Sequence, residues 1–231
     1  MTFVEIIEEI RDRLGMPTSA THTRMIKAAV KAEYRAACAE RNYRFLVKTG
    51  TVALTAIGTS FALPVDFRSC ALAALLSNSA VLRPQHFLLD AMTNGNPATR
   101  PRGVPTSYDV FKAGLGTGFV MVPQPLPLVA DTVHLWYIAT PADLALNADV
   151  PIFQSDFHGI LVEGGLMRLG AADSFDANIA AVARAERDRL VAGLMIASPV
   201  LPTEEVGGEW WGSMVKRDAE SAGVNAKRNS M

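Results

Sequence analysis

The spacing of apolar residues changes twice along the chain, from helical at the start to alternating in the middle and back to helical towards the end. Phe3, Ile6, Ile7, Ile10 and Leu14 recur at helical intervals behind the capping box Thr2-x-x-Glu5, and Gly15 then Pro17 close the run. A second helix is predicted over 23–41, with Ile26, Val30, Tyr34, Ala37 and Cys38 on one side and Arg24, Lys27, Lys31 and Arg35 largely on the other. That basic stripe reads as a solvated face, with contact to an acidic partner as the alternative.

From Tyr43 the period moves towards two. Thr49, Thr51, Ala53 and Thr55 alternate with Val52, Leu54 and Ile57, and Gly58-Thr-Ser60 supplies a turn, which together predict a hairpin. Short buried strands are predicted at 70–76 and 80–82, joined by a polar turn at Ser77-Asn-Ser79. A short helix over 84–92 opens on a proline, and 93–105 is a loop dense in Asn, Gly and Pro. Segments 107–112, 119–122 and 132–138 complete an antiparallel set, separated by Gly114-Leu-Gly-Thr-Gly118 and the proline-rich 123–127.

Helical character returns after a connector over 141–151. Phe157, Ile160, Leu161, Met167 and Leu169 sit among Gly159, Gly164, Gly165 and Gly170, a pattern that lets another element approach closely. A last helix over 175–197 carries Ile179, Val182, Leu190 and Leu194, with Arg184, Glu186, Arg187, Asp188 and Arg189 as its charged set, until Pro199 and Pro202 stop it. The fold class is therefore α+β. Residues 1–46 and 152–198 are expected to form one discontinuous helical bundle, 47–151 an inserted small antiparallel β sandwich or barrel, and 199–231 an extended C-terminal arm.

Charged residues make up 19% of the 231, below the roughly 25% of an average soluble domain, so either the core is large or surface is hidden in an oligomer. The oligomer is the preferred reading. With 22 basic and 23 acidic residues the net charge is −1, and no basic field draws the chain to phosphate. No apolar stretch approaches the ~18 residues that span a bilayer, and four acids among the first twelve residues do not suit a secretory signal, which points to synthesis in the cytoplasm. Cys38 and Cys70, without CxxC spacing, read as reduced, packed thiols.

Motifs for catalysis do not accumulate. The sequence has no GxGxxG after a strand, no P-loop, no HExxH and no GxSxG elbow, and Gly114 to Gly118 lacks the helix and Lys-Ser/Thr of a phosphate loop. His22, His86, His134 and His158 are scattered without metal-ligand spacing. Glu8-Glu9 and Glu204-Glu205 are adjacent rather than opposed carboxylates, and Asp66 reads as a turn cap. No catalytic, cofactor or metal residue is assigned. Beyond Pro202 the chain has too few apolar residues for a core, but the pair Trp210-Trp211 is the kind of side chain that anchors an interface, either on a partner or back on its own domain.

Several segments, taken in order, resemble the head-to-tail adaptor or connector proteins of tailed bacteriophages, which include those called tail tubular protein A. They are Asn42-Tyr-Arg-Phe-Leu46, Phe61-Ala-Leu-Pro-Val-Asp-Phe67, Val104-Pro-Thr-Ser-Tyr108, Val122-Pro-Gln-Pro125, Val133-His-Leu-Trp-Tyr-Ile-Ala-Thr-Pro141 and Asp149-Val-Pro-Ile-Phe153, followed by Phe157-His158 and the helix after it. The similarity covers roughly residues 20 to 195, with Tyr43 standing where relatives commonly carry tryptophan. The resemblance implies a virion structural protein, not an enzyme, that needs no cofactor. It also implies a homo-oligomeric, commonly dodecameric, ring under the portal that extends the DNA channel, with portal and tail or nozzle proteins as partners. The genome would pass through without specific binding, and no membrane would be involved. A terminal extension reaching the portal is also implied, which here assigns portal binding to Trp210, Trp211, Lys216, Arg217, Lys227 and Arg228. Two rival functions share the same elements: another tail-completion or fibre-attachment protein, and a virion-associated cell-wall hydrolase.

Overall fold

The computed structural model describes residues 1–85, 101–112, 118–170 and 177–198. It is an α+β structure with two compact units, one built from Met1–Val47 and Thr140–Val200 and the other from Lys48–Ala139.

In the helical unit, α1 (Phe3–Arg13) begins as its capping box requires, with the Glu5 N–H donating to Thr2 Oγ1 and the Thr2 N–H donating to Glu5 Oε2 at 2.7 Å. Two more donors of the first turn are met from far along the chain: the Phe3 N–H donates to the Asp149 carbonyl (2.7 Å) and the Val4 N–H to that of Asn147 (3.0 Å). Gly15, at φ +58°, ends the helix in the left-handed region. Helix α2 (Ala20–Ala39) starts three residues before the predicted point because Ser19 caps it, its Oγ accepting from the His22 N–H at 3.1 Å. Its basic stripe is not wholly solvated, since Arg35 pairs with Asp143, Lys27 donates to Asn147, and Lys27 and Lys31 lie over the Phe3 ring.

Helix α3 (Gly159–Gly170) is central. All of it is buried except Gly159, Met167 and Arg168, and it packs against α1, α2 and α4 (Ala177–Ala197). Two of its glycines admit neighbours where a Cβ would stand: Glu33 Cγ lies 2.1 Å from that position at Gly164, and Ile10 Cδ1 lies 2.6 Å from it at Gly165. In contrast, α4 buries only Ala183, Val191 and Leu194.

The strands of the second unit are β1 (Val47–Leu54), β2 (Phe61–Ala62), β3 (Phe67–Leu75), β4 (Arg83–Pro84), β5 (Arg102–Gly103), β6 (Ser107–Lys112), β7 (Phe119–Gln124), β8 (Leu126–Pro127) and β9 (Asp131–Ala139). They form three sheets with orders β1-β9-β3, β2-β7-β6-β4 and β5-β8, and among the described residues none closes into a barrel. One apolar core is shared by the two larger sheets, with Val52, Leu54, Leu75, Val133 and Leu135 from the first and Phe61, Tyr108 and Met121 from the second. Alternation along β9 sends Val133, Leu135 and Tyr137 into this core and leaves His134 stacked on Trp136 at 4.3 Å.

Several sequence expectations are corrected. The turn at Gly58 exists, its N–H donating to the Thr55 carbonyl, but no hairpin follows: β1 joins β9 while β2 pairs with β7 through Phe61↔Met121. The set is not purely antiparallel, because β4 runs parallel to β6 and β5 parallel to β8. Nor do 107–112, 119–122 and 132–138 share one sheet, since β9 leaves to pair with β3. The strand expected at 80–82 is a single bridge, Ala74↔Val81, after a turn in which Ser79 takes φ +55°. Pro84 belongs to β4, and the rest of the helix expected over 84–92 lies outside the described residues apart from Gln85.

Asp66 is a cross-strand tie rather than a turn cap. Its carboxylate accepts from Lys48 Nζ on β1 at 2.7 Å and from the Tyr137 hydroxyl on β9 at 2.9 Å. The Lys48 bond holds the Asp66 carboxyl below its ordinary range, with partial burial opposing and the Tyr137 bond assisting. A carboxylate with a lowered folded pKa stabilises fully above its unfolded value of about 4, and that contribution fades as pH falls through the folded value. Asp66→Asn is therefore expected to lower the urea midpoint at pH 7, with the gap to the parent protein narrowing below pH ~4. A gap that stays constant down to pH ~2 would show that the carboxylate's charge is not what acts.

Candidate interaction surface

Several ionisable groups of the helical unit are engaged with one another. Glu33 is fully buried on α2; its Oε2 accepts from Arg168 Nε of α3 at 2.8 Å and its Oε1 from Arg187 Nε of α4 at 2.6 Å. Arg187 also donates to Glu40. Burial works against the Arg187 charge, but its bonds to Glu40 and Glu33 outweigh that, and its pKa is raised. On α1, Arg13 bridges Glu9 (2.7 Å) and Glu163 (2.6 Å). Such carboxylates are saturated by guanidinium groups and are poorly placed to move protons or hold a cation.

His22 and His158 are occupied too. The Nδ1 of His22 is 2.9 Å from Ser19 Oγ, while buried His158 places Nδ1 2.8 Å from the Met1 amine and Nε2 3.0 Å from the Phe153 carbonyl. His86 lies outside the described residues. Among the described residues no group of three or more His, Cys, Asp or Glu side chains could hold a metal ion, and no helix is long and apolar enough to cross a membrane. Both cysteines are buried thiols.

Exposed aliphatic side chains gather instead at one end of the β unit. Leu76, 64% exposed, follows β3, and its N–H donates to the Thr132 carbonyl at the start of β9. Leu128 and Val129, 61% and 72% exposed, occupy the run into that same strand. The Leu128 N–H donates to the Gly103 carbonyl, which sets Val104 beside it, and Arg102 Nη1 joins the Ala56 and Pro127 carbonyls, which brings in Ile57 at 87% exposure. Val81 and Val104 both line an open groove of about 740 Å³, as do Arg83 and Pro105. The charged border consists of exposed Arg83 and Arg102 and of Asp131, whose carboxylate accepts from Ser77 Oγ (2.6 Å) and the Thr132 N–H (2.7 Å). Exposed aliphatic residues brought to one end of a unit in this way are a candidate protein contact.

The charged groups described fix helices to one another, and exposed aliphatic groups are displayed at one end of the β unit, an arrangement that suits contact with another protein. The chain belongs to the SU10 adaptor protein family, whose model matches residues 1–205. It is a bacteriophage head-to-tail adaptor family, structural rather than enzymatic, and membership implies a place in the virion and interaction with portal and tail proteins. Comparison with curated proteins gave no match.

The residues assigned to portal binding from the sequence, Trp210, Trp211, Lys216, Arg217, Lys227 and Arg228, lie outside the described residues. The aliphatic end was not foreseen. Its members are scattered over the connections between strands, where an exposed Val or Leu is ordinary, and only the exposed neighbours of prolines, Val104 before Pro105 and Leu128 after Pro127, carried a signal.

Proposed function

We propose that this chain forms a ring, dodecameric as the sequence resemblance implies, beneath the portal of the filled capsid, where it extends the DNA channel and offers a platform to the tail. The family match over residues 1–205 carries this reading. In it, residues 1–46 and 152–198 act as a helical bundle, 47–151 as an inserted β sandwich, and 199–231 as an arm directed to the portal. A net charge of −1 suits a channel through which a duplex slides, because few lysines and arginines are left over to hold phosphates. Trp210 and Trp211 would anchor the arm, and Lys216, Arg217, Lys227 and Arg228 would meet acidic portal surface. The chain would be made in the host cytoplasm and end at the head–tail junction.

Cryo-electron microscopy of the particle is the test. A ring of this chain between portal and tail is expected; density farther down the tail, or outside any ring, would overturn the assignment. Deletion of residues 209–231 is expected to leave a folded protein that no longer joins filled heads, measured by co-sedimentation with them. Normal joining by the truncated chain would remove the arm from the portal contact.

A further inference from the structure

We infer that the aliphatic end of the β unit, formed by Ile57, Leu76, Val81, Val104, Leu128 and Val129, is the seat of the tail-side virion protein, which meets it with an apolar surface bordered by carboxylates. The inference rests on the adaptor reading, since an adaptor has two partners and the arm over 199–231 is assigned to the portal. Three observations carry it further. The six side chains come from four separate connections, yet hydrogen bonds to Thr132, Gly103, Ala56 and Pro127 and the Ala74↔Val81 bridge hold them at one end of the unit, so the surface is preformed. The border leans cationic, because it carries two exposed arginines, Arg83 and Arg102, against the single carboxylate of Asp131. An occupant with carboxylates at its margin is therefore favoured over one with lysines. Finally, six aliphatic residues make a small contact for a single copy, but a ring repeats it, and linked contacts act together at high effective concentration.

Val65 provides the internal control. It is 100% exposed but precedes β3, at the end of that strand opposite Leu76. Phage carrying Val104→Asp with Leu128→Asp are expected to give filled heads that keep the adaptor ring but bear tails at least about tenfold less often, the effect of ~1.4 kcal/mol. Arg83→Glu, which buries nothing new, is expected to lower the tailed fraction in the same direction, most at low salt. Val65→Asp is expected to leave tails in place. Particles are counted by electron microscopy, and thermal melts of the purified chains check folding.

The inference is overturned if the Val104/Leu128 and Arg83 variants both give normally tailed particles, or if Val65→Asp is equally damaging. It is also overturned if folded variant chains leave the heads or fail to form rings, since the end would then face the portal or a second copy. Absence of the unmodified chain from the head–tail junction would instead defeat the adaptor reading itself.

Discussion

Glu33→Ala is expected to lower the stability of the helical unit by about 3 kcal/mol, the lower end of what breaking one partner of a buried ion pair removes. The estimate sits at that end because the two arginines differ. The Arg168 side chain is 36% exposed and can turn to water, whereas that of Arg187 is 13% exposed and, among the described residues, keeps only Glu40 and Asp188 as anionic company. Since α4 contributes just three buried apolar residues, the ion pairs account for an unusual share of what holds it. Urea unfolding followed by far-UV circular dichroism reads the effect. A loss under ~1 kcal/mol would class the cluster with ordinary surface pairs.

Gly164→Ala should destabilise as well, by roughly 1–3 kcal/mol, although alanine is the better helix former by up to about 1 kcal/mol. The added methyl would stand 2.1 Å from Glu33 Cγ and 2.4 Å from Cδ, and two guanidinium groups pin the carboxylate so that it cannot swing aside. Steric overlap therefore outweighs propensity. The argument has a sharper consequence in combination: once Glu33 is alanine the obstruction is gone, and Gly164→Ala in that background should stabilise, reversing its sign. If the two losses simply add, the crowding is not the cause.

Local order was well encoded. The cap at Thr2, the stop at Gly15 and the glycine pattern of α3 are written in neighbouring residues, and the structure follows them. Pairing was less legible, because the partner of a strand is chosen by the whole core. Phe61 and Ala62 bind Met121 and Val120 rather than the strand just before them, and two-residue parallel pairs such as Arg83↔Ser107 leave no periodic trace. The same limit hid the role of Arg187. Nothing set it apart from the other charged residues of its helix, and its partner Glu33 stands 154 positions away. The aliphatic end of the β unit escaped notice for a related reason, since an exposed valine acquires meaning only beside others.

The tie at Asp66 also bears on how such a chain can change over evolutionary time. Lys48 stands at the entrance of the β unit and Tyr137 near its exit, and one carboxylate holds both. The polypeptide thus enters and leaves the β unit through a single doorway, and a segment whose ends lie close together is closed at little entropic cost. A gene arranged this way can trade the whole segment for another of different shape while the helices on either side keep their partners. Virus lineages under pressure to fit new neighbours would find in that doorway a ready point of exchange.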